Sequence, residues 1–337
     1  MFSPITLIRY QWISVAVTLL GGCRTDPTTP SSVTSTTVTA PISSSTSTAI
    51  PTDTLRWVSY TANDAPSDTT LFGQPQRVGT LTDPGLIEAS GLAPSRRNSG
   101  YLWTEEDSGN PNQIQLLRRD GSVAARYTIE GATNRDWEDL VVGPGPVAGE
   151  SYIYLADIGD NKLRYSEKII YRFPEPSISG QTLPYTGLVT NAEAIRLTLP
   201  DGPQNAEAIL LDPSTRDLYI LSKGDRSQLY QATFPQSLTQ STPITRLLAI
   251  PFDKVTSAGI SPDSREILVR TYGQLFYYPR RTGESIPDAF KRTPRRLPLA
   301  NEPQGEAVGW AIDGSGYYTT SEKPDASPQA IYWYPRK

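Results

Sequence analysis

The 337-residue chain contains no histidine. That absence removes Ser-His-Asp and Cys-His catalysis, imidazole-ligated zinc and any histidine general base. Chemistry at any site must therefore rest on carboxylates, lysine, arginine, tyrosine, serine or a hard metal ion. There is one cysteine, Cys23, so no intrachain disulfide can form. A long basic run is also lacking, and a formal net charge of −4 with a pI near 5.1 excludes any charge-based case for a nucleic-acid partner. Hydrophobic residues make up only 37% of the chain, while Gly and Pro contribute 25 and 30 residues. That balance suits many short strands joined by turns, with part of the chain left outside any packed core.

The position of the cysteine carries information. Ahead of it lie Arg9, the mostly apolar stretch from Trp12 to Leu20, and then Gly21-Gly22-Cys23. The apolar run is too short to span a bilayer as a helix but fits the central region of an export signal. Leu20-Gly21-Gly22-Cys23 resembles the lipobox of bacterial lipoproteins, in which small residues permit cleavage and the cysteine sulfur takes a diacylglycerol. The resemblance implies a signal peptide over residues 1–22 and a lipid anchor on Cys23, in the bacterial cell envelope. The plainer alternative is a secretory signal followed by an incidental cysteine. Arg24, where Asp would favour retention at the inner membrane of a Gram-negative cell, points to the outer membrane.

From residue 25 to about residue 54 the composition narrows to Ser, Thr, Pro and a few small apolar residues, with no period of 2 or 3.6. Such a segment cannot bury enough apolar surface to offset its ordering entropy and is expected to be a disordered linker. The folded domain is assigned to residues 55–337.

Within that domain one pattern returns. A short polar lead carrying Glu precedes an apolar strand, a turn and a second strand rich in Tyr. Taking Glu88, Glu138, Glu207, Ser257 and Glu306 as equivalent gives intervals of 50, 69, 50 and 49 residues. A strand-based repeat of this length predicts an all-β chain folded as a single β-propeller, one blade per copy. The last copy runs out one strand short, and the strand-like Arg77–Thr82 precedes the first. Pairing the two would close the ring and remove an exposed edge. The long interval predicts an insertion after Phe173, with Glu193–Leu199 as the fourth strand of blade two. Five blades are expected, with six as the alternative if the unplaced strand-like Leu55–Tyr60 or the insertion hides a further copy. A monomer is expected.

In a propeller the start of each inner strand and the end of its antiparallel neighbour lie at one mouth of the axial channel. The repeat frame therefore gathers Glu88 with Asp107, Glu138 with Asp157, Glu207 with Lys223, Ser257 with Arg270, and Glu306 with Glu322. Clustered carboxylates repel unless a cation or proton sits among them. Oxygen donors without His or Cys favour calcium. The candidate metal ligands are Glu88, Asp107, Glu138, Asp157, Asp160 and Glu306, and the loops Asp107-Ser108-Gly109-Asn110 and Asp157-Ile158-Gly159-Asp160-Asn161 can each present several oxygens to one ion. Structural ion pairing with Lys223, Arg270, Arg135 and Arg164 is the competing account. The dense polar run Asn134–Asp139 offers metal oxygens and an Arg for an anionic ligand on one reading, and the connection into blade two on the other; the second is preferred for Asp136 and Trp137, and both stay open for Glu138 and Asp139.

Asn205–Asp212 with Leu218-Tyr219-Ile220, and Gly305-Glu306-Ala307-Val308 with Asp313-Gly314, resemble bacterial exported β-propellers of the broad group containing propeller phytases and gluconolactonase-like proteins. The resemblance spans residues 77–337 at the level of the blade. It implies a divalent ion held by channel carboxylates and, after the phytases, Lys and Arg gripping phosphate, with Glu88, Glu138, Glu207, Glu306, Lys223 and Arg270 as the matching residues. The expected function is a lipid-anchored binding or scaffold module, taking a small anionic ligand or an envelope protein at the mouth. The alternative is a calcium-dependent hydrolase of phosphoesters, lactones or other esters. There, Glu138 or Glu207 would activate water while Arg270 and Lys223 stabilise developing negative charge.

Overall fold

The computed structural model describes residues 56–322 and 329–337. The signal segment, Cys23 and the Ser/Thr/Pro-rich linker lie outside the described residues. Among those described, five antiparallel blades form, and the register of each is set by which faces its strands must bury. Inner strands are covered on both sides by neighbouring blades, so Ala206–Leu211 is apolar or small almost throughout and wholly buried. Outer strands meet solvent on one side, and Tyr185–Val189 accordingly alternates between exposed and more buried positions.

The inner strands Ala89–Pro94, Trp137–Pro144, Ala206–Leu211, Val255–Ile260 and Gln304–Trp310 each touch the next, and the last returns to the first. Closure comes from Gln76–Thr80, which pairs antiparallel with the final strand Ala330–Pro335 and supplies the fourth strand of blade five. The expected fourth strand of blade two is present as Glu193–Thr198.

The outer strands of blades one to four each receive a partner. Tyr185–Val189, from the long insertion after blade two's third strand, lies parallel on Val123–Ile129 of blade one. Thr242–Pro243, from blade three, lies parallel on Glu193–Thr198 of blade two. The remaining edges are met by the segment ahead of the closing strand. It bridges Trp57 to Ala249 on blade three and Ser67 to Arg296 on blade four, and its Phe72 then bridges Arg336 to prolong the closing ladder of blade five. Of the strand-like Leu55–Tyr60, Leu55 lies outside the described residues and the remainder, residues 56–60, belongs to an edge-covering belt and not to a sixth blade.

Five hydrophobic clusters fill the five seams between blades. Trp103 and Trp137 anchor the seam between blades one and two. The short helix Ile286–Phe290, capped by the Ser285 side chain on the Asp288 amide, adds Ile286, Ala289 and Phe290 to the seam between blades three and four. The basic run Lys291–Arg296 is paired locally, Lys291 to Asp288, Arg292 to Glu284 and Arg295 to Asp68.

Each inner strand carries a β-bulge at the same place, marked by register shifts after Ala89, Trp137, Ala206, Val255 and Gly305. Counting outward from the bulge makes Ser90, Glu138, Glu207, Thr256 and Glu306 equivalent. The repeat frame read from the sequence is thus off by two residues in blade one and by one in blade four. A spacing argument cannot see a bulge, because the extra residue changes the register without changing the pattern of residue types.

Candidate cation-binding mouth

The bulges decide which side chains reach the axis. An extra residue tilts its own side chain out of the pleat, and in blades two, three and five that residue is Glu. One place further along the second strand, Asp107, Lys223 and Glu322 are equivalent to one another. Asp107 is fixed by its amide on the Glu88 carbonyl (3.0 Å), and Lys223 by its amide on the Asn205 carbonyl (2.8 Å).

Three carboxylates converge where blades one and two meet. Asp107, Asp136 and Glu138 each place an oxygen within 4.8 Å of the other two. Gly159 makes this convergence sterically feasible. A Cβ there would lie 2.1 Å from Glu138 Oε1 and 2.6 Å from Asp136 Oδ2. Glu207 continues the cluster, its carboxyl hydrogen-bonding that of Glu138. Lys223 is the cation of this group. Its Nζ lies 2.7 Å from Glu207 Oε2 and 4.9 Å from the centre of the Tyr272 ring.

The electrostatics follow from this crowding. Burial, then the charges of Glu207, Asp107 and Asp136, push the Glu138 carboxyl well above its ordinary range, with Lys223 opposing. Burial raises Glu207 too, although Lys223 partly offsets it. Asp107 is pushed up to about 6, by burial first and by Asp136, Glu207 and Glu88 after it. On the far side of the mouth, burial and the Glu322 charge raise Glu306. Glu322 itself is raised to about 7 by burial, Asp107 and Glu88. Burial works against the Lys223 ammonium, but the Glu207 carboxylate wins and holds it protonated.

The other residues read from the sequence sit elsewhere. Glu88 is at the outer rim, accepting a hydrogen bond from Asn110 Nδ2 at 2.7 Å. Asp157 turns away from the triad to Arg135, 3.3 Å from its Nε, and to the Asp136 amide. Asp160 serves its own loop, accepting from the amides of Arg164 (2.7 Å) and Tyr165 (2.8 Å) and pairing with Lys168. Arg270 is a clear departure from expectation. Its fully buried guanidinium spans blades four and five, donating to Glu302 Oε2 at 2.6 Å and to the Ala307 carbonyl at 2.8 Å. It faces a seam and cannot stabilise charge at the mouth. Arg270 does pair with Ser257 across the ladder, but Tyr272, two residues further on, is the position equivalent to Lys223.

Two carboxylates lie outside the ligand set read from the sequence. Asp136 completes the triad, although its run Asn134–Asp139 stood out as the most polar in the domain. Asp139, one residue past the bulge, fills the axis below the mouth. Its carboxylate accepts from the Leu140 amide (2.9 Å), from the Ile209 amide of blade three (3.1 Å) and from Ser257 Oγ of blade four. Ser257 Oγ in turn accepts from the Val308 amide of blade five. One carboxylate thus answers inward-facing donors from successive inner strands. At the opposite end the axis opens into a small apolar cavity of about 50 Å³, lined by Leu92, Val142, Leu211, Ile260 and Trp310 among others.

A triad of hard oxygen donors fits calcium or a similar divalent cation and offers nothing to a metal that prefers nitrogen or sulfur. No helix of the described residues is long and apolar enough to cross a membrane. No protein-family model matches the chain, and no curated protein matches it.

Proposed function

We propose that this is a lipid-anchored binding module, tethered through an acylated Cys23, whose propeller mouth binds calcium or a similar divalent cation. Asp107, Asp136 and Glu138 would hold the ion, with Glu207 beside them. The observation that carries the reading is the convergence of three carboxylates over a glycine whose side chain would fill the site. Such a cluster holds protons or a cation, because ionising all its members without either is prohibitive. An ion bound there would present open coordination positions to a small anionic ligand or to an envelope protein.

The test is calorimetry with calcium on the chelated chain in two buffers of different ionisation enthalpy. Binding should release protons near pH 6, so the apparent heat should depend on the buffer. Absence of any calcium heat, or binding that survives Glu138→Gln unchanged, would overturn the assignment.

The adjoining carboxyls of Glu138 and Glu207 favour one second reading, a calcium-dependent hydrolase of phosphoesters, lactones or other esters. One member of the pair would hold a proton while the other accepts one from water. Turnover of an aryl ester or phosphoester that is lost both on chelation and in Glu207→Gln would select it.

A further inference from the structure

At the end of the axis opposite the mouth, the propeller repeats an apolar wall. Counting four residues on from the bulge in each inner strand gives Pro94, Val142, Leu211, Ile260 and Trp310, one from each blade. All five line the cavity of about 50 Å³. The Trp310 indole is fixed in that wall, its Nε1 donating to the Gly259 carbonyl of blade four at 3.2 Å. Counting six residues gives Arg96, Pro144, Pro213, Pro262 and Ile312. Four blades thus continue the wall with proline or isoleucine, and blade one continues it with arginine. Among the described residues, Arg96 is the one charged side chain lining the cavity.

A groove of about 520 Å³ adjoins the cavity and shares Pro94, Arg96 and Ile312 with it. Its second cation is Arg119, whose guanidinium lies 5.6 Å from the centre of the Tyr318 ring and 5.9 Å from that of Trp333. Neither arginine forms an ion pair among the described residues. Glu175, whose charge reaches Arg96, is already engaged by the Ser95 hydroxyl, the Trp103 indole and the Arg97 amide. Asp313 is the one described carboxylate that lines the groove, and its Oδ1 accepts from the Ser315 amide at 3.0 Å. Two guanidiniums against one carboxylate leave a single positive charge. Further round this face the charges balance, Glu150 with Arg97, Asp263 with Arg265 and Glu266 with Arg336.

We propose that the cavity and the groove together form a second ligand site, which takes a small branched aliphatic carboxylate. The alkyl group fills the cavity, and the carboxylate meets Arg96 and Arg119 in the groove. Size sets the first half of this assignment. A dry cavity of about 150 Å³ takes benzene, so one a third as large takes about three carbons, an isopropyl group. Charge sets the second half. A single net positive charge calls for a monoanion, and the planar guanidinium fork matches a carboxylate. An apolar pocket with a few convergent polar groups is the usual form of a small-molecule site. The inference rests neither on the cation at the mouth nor on the lipid at Cys23.

The test uses the full chain carrying Cys23→Ser, so that no acyl chain competes for the cavity, in chelator. Ligand-detected NMR with isobutyrate should give a Kd of about 1–10 mM, roughly tenfold tighter than that of its neutral isostere isobutyramide. Arg96→Gln, a change at an exposed side chain, should erase the tenfold preference. Val142→Phe, which fills the cavity, should weaken both compounds about fivefold or more. Should that variant fail to fold, the Arg96→Gln result still decides. Equal affinity for the two compounds in the parent, or a preference that survives Arg96→Gln, would overturn the proposal. So would tighter binding of the dianion isopropyl phosphate, or equal binding of cyclohexanecarboxylate, whose ring exceeds the cavity. Isobutyrate binding that appears only with calcium would also overturn it, by placing the anion at the mouth, and would leave the cation reading standing.

Discussion

Replacing Glu138 by Gln should make the protein more stable without calcium and indifferent to calcium when it is added. In the calcium-free protein the mouth carboxyls retain protons more tightly than they would in an unfolded chain. Stability is then greatest below the ordinary carboxylate range, near pH 4, and falls as pH rises through the raised values. For Asp107, raised to about 6, and Glu322, raised to about 7, the window runs from about pH 4 to about pH 7. At 1.36 kcal/mol per unit each shift corresponds to about 3 kcal/mol, and allowing for shared charge and solvent screening the mouth loses about 2–4 kcal/mol. For a domain of this size that is a fall of roughly 5–10 °C in melting temperature between pH 5 and pH 8. Calcium should flatten the slope by supplying the missing charge. The Gln side chain keeps the shape of Glu138 but cannot ionise. The variant should therefore melt a few degrees above the parent at pH 8 in chelator, and calcium should shift it by less than 1 °C or so. Differential scanning fluorimetry across pH, with and without calcium, reads all of this. A parent melting temperature that rises from pH 5 to pH 8 in chelator, or a variant stabilised by calcium as fully as the parent, would refute the reasoning.

Gly159→Ala should weaken calcium binding at least tenfold in calorimetry, because its Cβ would meet Glu138 Oε1 and Asp136 Oδ2; Gly273→Ala, with nothing within 4 Å, is the neutral control. Glu302→Ala strands the buried Arg270 charge and should cost about 3–5 kcal/mol in urea unfolding, with calcium affinity unchanged because the pair lies in a seam. Trp137→Ala should cost a similar 3–5 kcal/mol, since the indole is fully buried and its Nε1 donates to the Thr133 carbonyl at 3.1 Å; near-native unfolding midpoints would contradict the role given to that seam.

Repetition made the fold legible. Inner strands buried on both faces, turn residues between them, a spare strand ahead of the first copy and a last copy one strand short specify a closed ring, and each of these is a pattern of residue types. The site was legible only in outline. Glu138, Glu207 and Glu306 sit at bulges that recur from blade to blade, so their recurrence in sequence reports a shared place at the mouth. Glu88 and Ser257 were matched to them by residue spacing, which cannot distinguish a bulged residue from its neighbour. Arg270 failed because spacing placed it two residues short of Tyr272, the true counterpart of Lys223. Asp136 and Asp139 had no counterparts in other blades, and repeat logic is blind to features that occur once.

The ring is fastened by the earliest strand of the domain and the latest. The chain emerges amino terminus first, from the ribosome and, on the export reading, again on the far side of the membrane, so Gln76–Thr80 must each time wait for Ala330–Pro335. At about 5–20 residues per second, the roughly 250 residues between them take tens of seconds. Throughout that interval the nascent domain is an open arc that can recruit a stranger's strand. Translation speed, and any chaperone that shields this first strand, should therefore govern yield more than the stability of the finished ring does.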